Sequence, residues 1–394
     1  MARRVRLSMA AGFAVLIGTF GLPGASAAAP VEGTILAVPG AEVVPDSYIV
    51  VLEDGTNAAD VAKRHGATVR ETYQHALHGF AATMSAAQAR RVAAAPGVAY
   101  VQPNVIHTVQ ATQANPPSWG LDRVDQRNRP LDASYTYGTT ASTVTAYIID
   151  TGIRTTHGDF GGRAVSGFDA VDGGTADDCN GHGTHVAGTV GGTTYGVAKG
   201  VSLVAVRVLN CEGSGTTAQV AAGIDWVTAN ADGPSVANMS LGGGADTVLD
   251  DAVRRSIAAN VTYAIAAGNG FLGIIALDAC TQSPARVAEA LTVSATDSSD
   301  RKSSWANRGT CVDLFAPGIS ITSAWSTNDT ATSTISGTSM AAPHVAGAAA
   351  LYLASNPAAT PAQVNTAVIA AATTGVVVSP GTGSPNRLLY TGGF

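Results

Sequence analysis

Two hydrophobic patterns divide this chain. Over about residues 46–108, short apolar runs alternate with short amphipathic stretches. Ser47-Tyr48-Ile49-Val50-Val51-Leu52 is rich in β-branched residues and predicts a strand. Ala58 to His65 predicts a helix stopped by Gly66. Ser85-Ala86-Ala87-Gln88 has the form of a capping box and opens a second helix to Ala95, ended by Pro96-Gly97. Val98 to Val101 returns to strand. The order strand, helix, strands, helix, strand predicts a small α+β unit. Residues 28–46, mostly Ala, Pro and Val without periodicity, read as a linker.

From Ala111 the pattern changes to alternating β and α. Strands are predicted at Val144–Asp150, Val201–Leu209, Val236–Leu241, Val261–Ala267 and Leu291–Ala295. Helices are predicted at Gly183–Val190, Thr217–Asn230, Thr247–Asn260, Thr338–Ala354 and Pro361–Ala372. Near-continuous apolar strands between amphipathic helices imply a three-layer α/β domain over 111–394, its mostly parallel sheet covered on both faces. In open α/β sheets, sites form beyond the carboxyl ends of strands. Asp150 ends one strand, Asn269 follows another, and His182 and Ser339 stand where helices begin. All four are therefore expected on one edge.

Composition narrows the class. With 46% hydrophobic and 13% charged residues in 394, the chain can bury a large core and does not resemble a disordered protein. A net charge of -6 without a basic run gives no reason to expect nucleic acid. Arg3, Arg4 and Arg6, the apolar stretch Met9–Leu22 and Ala25-Ser26-Ala27 predict a secretory signal over 1–27. The Arg3-Arg4 pair leaves the export route for folded proteins open, although ordinary secretion is favoured. No later stretch has about 18 uninterrupted apolar residues, so no membrane span is expected in the mature chain. Secretion makes disulfides the default for Cys179, Cys211, Cys280 and Cys311, with three pairings possible. A thiolate metal site is disfavoured, because no C-x-x-C occurs.

The candidate chemistry centres on Ser339, in a run where a flexible approach gives way to a small-residue helix. A serine hydroxyl becomes a good nucleophile beside a histidine base and backbone donors for the oxyanion. Singly, an Asp ending a strand or an Asn beside Gly is a common turn former, and a Ser at a helix start a common cap. His182 and His185 could instead form an H-x-x-H metal pair, but no glutamate lies between them and no third ligand is evident. His185 and His344 read as packing histidines, and His157 as a loop residue.

Three longer segments change the weighting. Ala146-Tyr147-Ile148-Ile149-Asp150-Thr151-Gly152-Ile153, Asn180-Gly181-His182-Gly183-Thr184-His185-Val186-Ala187-Gly188 and Gly337-Thr338-Ser339-Met340-Ala341-Ala342-Pro343 resemble the three signatures of the subtilisin-like serine proteases. The proteinase K and aqualysin branch is the closer match. Ser240–Gly243 and Ala266–Asn269 also fit, and the resemblance runs from Ser47 to the C-terminus.

The resemblance implies a fold and a set of roles. Ser339 would attack a peptide carbonyl, His182 carry the proton and Asp150 orient the imidazole. Asn269 and the Ser339 N–H would hold the oxyanion, with Pro343 tolerated in the first helical turn. Gly213-Ser214-Gly215 and Ser240-Leu241-Gly242-Gly243 would be the two strands that sandwich an extended peptide. Ala266, Ala267 and Gly268 would leave room for the P1 residue, whose carbonyl is attacked. Broad endopeptidase activity on proteins and peptides, with apolar or aromatic P1, is the implied specificity. Two Ca²⁺ sites are implied, one from Asp122, Asp125, Gln126, Asp132 and Ser134, the other from Asp313 with the carbonyls of Ala288 and Ala290. No catalytic cofactor is implied. Sequential disulfides, Cys179–Cys211 and Cys280–Cys311, are implied as well. Residues 46–110 would be an inhibitory propeptide and folding aid, with His107-Thr108-Val109-Gln110 in the cleft and autocleavage before Ala111. The mature protein would be a monomer. One departure stands out: Gly270 to Leu277 is apolar, where the family has a shorter polar loop. Two other functions remain: an inactive member serving as a binding protein, and an esterase, which lacks G-x-S-x-G and needs no propeptide.

Overall fold

A computed structural model of the chain describes residues 31–38, 43–105 and 111–394. The predicted signal and the tail His107–Gln110 lie outside the described residues. Two units are compact in themselves, divided after Ile106.

The first unit runs β1 (Val43–Leu52), α1 (Ala58–His65), β2 (Thr68–Tyr73), β3 (Gly79–Thr83), α2 (Ala86–Ala93) and β4 (Val98–Val105). Its sheet has the order β2-β3-β1-β4, with β1 antiparallel to both neighbours. Local chemistry sets its helices. Asn57 caps α1, and Gly66 ends it in the left-handed region at φ 64°. Ser85 and Gln88 make both bonds of the capping box that starts α2. Val50, Phe80, Val92 and Val101 form the centre of the core. Part of the predicted linker is structured: Gly33 N–H donates to Arg90 O and Leu36 N–H to Val101 O, both at 2.8 Å. Strand β1 also starts before Ser47, because Val43 pairs with Val105.

The second unit opens with β5 (Ala111–Ala114), α3 (Trp119–Val124), β6 (Ser134–Tyr137), β7 (Thr145–Asp150), β8 (Ala164–Asp169) and α4 (His182–Gly191). It continues with β9 (Ser202–Arg207), α5 (Thr217–Asn230), β10 (Ser235–Met239), β11 (Gly243–Gly244), α6 (Thr247–Ala258) and β12 (Thr262–Ala266). It closes with β13 (Gln282–Ser283), β14 (Leu291–Thr296), β15 (Leu314–Pro317), β16 (Ile321–Ala324), β17 (Thr332–Ile335), α7 (Thr338–Ser355), α8 (Pro361–Ala371), β18 (Thr373–Thr374) and β19 (Arg387–Leu388).

Nine strands form its main sheet, in the order β18-β19-β15-β14-β12-β10-β7-β9-β8, parallel except for the terminal β18–β19 pair. Alternating side chains feed two cores. From β7, Ala146 and Ile148 join the cluster that includes Val186 of α4 and Val345 of α7. Tyr147 and Ile149 join the opposite cluster, with Ile224 of α5 and Val253 of α6. The sheet is thus covered on both faces, an α/β architecture.

Helix α7 is buried along most of its length, as its nearly all-apolar sequence requires. Pro343 is its sixth residue, not part of the first turn as expected. Proline has no N–H to give the carbonyl four residues earlier, that of Ser339. Instead the Ser240 hydroxyl donates to Ser339 O at 2.8 Å. The helix keeps its proline because a side chain from another segment satisfies the orphaned acceptor.

The strands at Ala164–Asp169 and Leu314–Pro317, and the β16–β17 hairpin, were not expected from the pattern. The first is bulged between Ser166 and Phe168 and contains Gly167, where a Cβ would crowd Val204 and Trp226. Both disulfides are formed, Cys179–Cys211 and Cys280–Cys311, at separations of 32 and 31 residues. Loop-closure entropy gives each about 3–4 kcal/mol. Replacing Cys280 and Cys311 together by Ala is expected to lower the melting temperature by several degrees in calorimetry, with an unchanged far-UV spectrum.

Candidate active site

Asp150 ends β7 and is fully buried. Its Oδ1 accepts Thr151 N–H at 2.7 Å and lies 2.7 Å from His182 Nδ1. Its Oδ2 is buried without a hydrogen-bond partner. His182 is the first residue of α4, and a quarter of its side chain is exposed. The next residue must be glycine, since a Cβ on Gly183 would fall on the Gly152 carbonyl.

A second carboxylate builds the loop that presents His182. Asp178 Oδ1 accepts from Thr151 Oγ1, Asn180 N–H and Gly181 N–H at 2.8–2.9 Å. Its Oδ2 accepts from Thr184 N–H at 2.9 Å and Thr184 Oγ1 at 2.6 Å. A buried carboxylate at a helix start uses the free N–H groups there and complements the dipole. The sequence reading missed Asp178, although an Asp two residues before Asn-Gly is a recognisable Asx-turn signal. Burial pulls the His182 pKa down, but the charge and hydrogen bond of Asp150 and the charge of Asp178 outweigh it. The net shift is upward from 6.5.

Ser339 is the second residue of α7. By position its N–H has no intrahelical acceptor. Its hydroxyl donates to Ser240 O at 3.2 Å, and among the described residues no hydrogen bond joins it to His182. Asp150 and His182 are thus in contact, while the Ser339 hydroxyl is turned to the Ser240 carbonyl on the cleft wall.

Asn269 follows β12 and is exposed. Its Oδ1 accepts from Thr338 N–H and Thr338 Oγ1, each at 2.9 Å. Thr338 Oγ1 in turn accepts Gly268 N–H at 3.0 Å. With the amide oxygen committed to Thr338, the amide NH₂ is the end left for a ligand. Thr338 is a second residue that the sequence reading passed over. Asn307 braces the same strand end, donating from Nδ2 to Ala267 O and accepting Leu277 N–H, both at 2.8 Å.

One cleft of about 790 Å³ is lined by His182, Ser339 and Asn269 together with the expected wall residues Gly213, Ser214, Gly215, Ser240, Leu241, Gly242, Ala266, Ala267 and Gly268. The two wall segments are not the strands expected. Gly213 has φ 76°, and Asn210 ties Ser214 into a turn, donating to Ser214 O and accepting Ser214 N–H through Oδ1. Ser240–Gly242 is irregular, and regular pairing begins only at Gly243–Gly244, against Gln282–Ser283.

The residues proposed for cations form two sets. Asp122 accepts N–H groups of Asp132 and Ala133, and Ser134 Oγ donates to Asp132 Oδ1 at 2.7 Å. Gln126 turns its Nε2 to Asn128 O and Pro130 O. Asp125 Oδ1 is buried without a partner. Burial pushes the Asp125 pKa up to about 6, aided by the charges of Asp132 and Asp122. Among the described residues, no three His, Cys, Asp or Glu are close enough to share a metal ion. Any cation here would therefore lean on carbonyl and amide oxygens. In the second set, Asp313 accepts Thr292 N–H at 2.8 Å, and burial raises its pKa to about 6. Ala288 and Ala290 lie just before β14.

Three other histidines of this unit, His157, His185 and His344, are held by structural contacts. His185 and His344 are fully buried, and desolvation brings both pKa values down to about 4. His185 Nε2 is bonded to Ile321 O, so the H-x-x-H pair is not a shared site. His157 Nδ1 accepts Asp159 N–H in its loop.

Residues 141–389 match the subtilase family, peptidase S8, and residues 47–110 match the peptidase inhibitor I9 family. The chain belongs to the subtilase family. This subtilase is 50% identical to an extracellular serine proteinase of Thermus sp. (strain Rt41A) over 391 residues, covering 93% of this chain and 94% of that one. It is 47% identical to alkaline serine exoprotease A of Vibrio alginolyticus, covering 91% of this chain and 70% of that one. Among solved structures, a cold adapted subtilisin-like serine proteinase is 55% identical, with a TM-score of 0.67, covering 69% of this chain and 97% of that chain. The subtilase is a serine protease.

The charges around His182 generate a prediction. In an NMR titration its imidazole should titrate above 6.5, and Asp178→Asn should move the midpoint to lower pH. An unchanged midpoint would remove Asp178 from the electrostatics of the site.

Proposed function

We propose that this subtilase is a secreted endopeptidase in which Ser339 is the nucleophile, His182 the general base and then acid, and Asp150 the group that holds the imidazole. The observation that carries this reading is the 2.7 Å Asp150–His182 contact on the rim of the cleft that Ser339 also lines. Rotation about the Ser339 Cα–Cβ bond releases its hydroxyl from Ser240 O and turns it toward the imidazole. Catalytic contacts often form only in the substrate complex. The Ser339 hydroxyl then adds to the peptide carbonyl as His182 Nε2 takes its proton, and His182 later returns that proton to the leaving amine. The negative oxygen sits between the Asn269 NH₂ and the Ser339 N–H, near the positive end of α7. The lining Ala266-Ala267-Gly268 is small, which favours an apolar or aromatic P1 residue. The relatives' names, extracellular proteinase and exoprotease, support secretion of this chain.

The I9-matching segment acts as an intramolecular inhibitor and folding aid, removed by cleavage before Ala111. Calcium would be held in the Asp122–Ser134 loop around Asp125, whose partnerless buried Oδ1 suits a hard cation. There it would neutralise the Asp125 charge, with carbonyl and amide oxygens as its other ligands. The Asp313 set is a second candidate through its buried carboxylate.

Three outcomes are expected. Ser339→Ala should reduce casein hydrolysis by roughly 10⁴-fold or more, and Asn269→Ala should reduce kcat by about 10²–10³-fold with little change in KM. Equal cleavage by wild type and Ser339→Ala would sink the assignment. N-terminal sequencing of secreted active enzyme should begin near Ala111; retention of Ser47–Val109 would contradict the propeptide reading. For calcium, the pKa of Asp125 is raised in the folded state, so without a cation its contribution disfavours folding as pH rises from 3.8 to about 6. In chelator, the melting temperature of inactive Ser339→Ala should fall over that interval. Added Ca²⁺ should reverse the fall, and identical curves would remove calcium as a structural partner.

A further inference from the structure

Four large apolar side chains stand in solvent within five residues: Phe271, Leu272, Ile274 and Ile275 are 59, 78, 68 and 62% exposed. The other exposed large hydrophobics described in this unit, Val165, Val248 and Val378, are single residues. Isolated apolar residues on a surface are ordinary, but a contiguous group calls for a partner.

The segment has a defined shape. Phe271 N–H donates to Ile275 O at 2.8 Å, and Ile274 N–H donates back to Phe271 O at 3.1 Å. Leu272 and Gly273 at the tip both have positive φ, 53° and 64°. A leucine rarely adopts the left-handed region. Here it does so with its side chain in water, so neither packing nor backbone preference accounts for the turn. Such an outlier points from structure to function.

The hairpin stands on the cleft wall. At its near foot, Asn269 and Gly270 line the cleft. Gly270 fits only because it lacks a Cβ, which would strike the Ile275 and Trp305 carbonyls. The far leg is held by Leu277 N–H to Asn307 Oδ1 at 2.8 Å, and Asn307 lines the cleft too. Gly270 to Leu277 carries no charge, and the nearest charged residue in sequence is Asp278.

We propose that the Phe271–Ile275 tip is a second binding surface, which holds an apolar stretch of an unfolded polypeptide substrate while another part of that chain lies in the cleft. This rests on the endopeptidase reading above. An extended chain advances about 3.3 Å per residue, so one leaving the cleft passes the tip within a few residues. Two weak contacts on one chain reinforce each other through effective concentration. A lipid surface is the poorer match, because interfacial segments pair apolar residues with Lys or Arg, and this hairpin has neither.

The test compares wild type with the double variant Leu272→Ser, Ile274→Ser, whose side chains are exposed and whose melting temperature should be unchanged. On unfolded β-casein, KM should rise roughly tenfold at constant kcat, the loss of about one buried apolar side chain. On a four-residue chromogenic peptide, kcat/KM should stay within about twofold. Leu272→Met with Ile274→Val should restore the casein KM. An unchanged casein KM, or an equal change on both substrates, overturns the proposal. So does loss of wild-type sedimentation with phosphatidylcholine vesicles, which would make lipid the occupant, or loss of a wild-type dimer in gel filtration, which would make it a second copy. If wild type cleaves neither substrate, the endopeptidase reading falls first.

Discussion

A helix that lacks one donor joins the two halves of the site. Pro343 leaves the carbonyl of Ser339 without its usual partner, and the Ser240 hydroxyl supplies one. The Ser339 hydroxyl meets the Ser240 carbonyl in return. Two residues 99 positions apart thus trade hydrogen bonds through both backbone and side chain. One carries the alcohol, and the other begins the wall against which a peptide would lie. An unpaired buried carbonyl would cost about 1–3 kcal/mol, so this exchange stabilises α7 and fixes the wall at the same time.

The same economy recurs at the other helix start. Asp178 collects five donors from Thr151, Asn180, Gly181 and Thr184. Those bonds set the approach to α4, and its charge adds to that of Asp150 on the imidazole. Thr338 does comparable work between α7 and β12, deciding which end of the Asn269 amide faces the cleft. Each supporting residue satisfies backbone groups that would otherwise be stranded, and each positions a side chain that lines the cleft.

How much of this could be read from the chain depended on how local its cause was. Helices with a capping box or a glycine stop, such as Ala58–His65 and Thr217–Asn230, were legible because neighbouring residues dictate them. Buried parallel strands such as Thr145–Asp150 and Thr262–Ala266 were legible as apolar runs, whereas the four-residue Leu314–Pro317, equally buried, was too short to stand out. Ala164–Asp169 was not, since its bulge and Gly167 depend on Trp226 across the fold. The residues gathered around the cleft were legible from long motifs. The turn at Gly213–Gly215 was not, because Asn210 folds it back through its side chain. Nor was the direction of the Ser339 hydroxyl, which a rotamer decides.

The Cys179–Cys211 bond has an implication for where such a chain can work. It joins the loop before His182 to the segment leading into the Gly213–Gly215 turn, and Asn180 Nδ2 donates to Cys211 O beside it at 2.8 Å. The covalent tie therefore lies between the imidazole's support and one lip of the groove. Thiol-rich surroundings would undo this tie together with the unfolded-state restriction it imposes, so the fold is suited to oxidising surroundings.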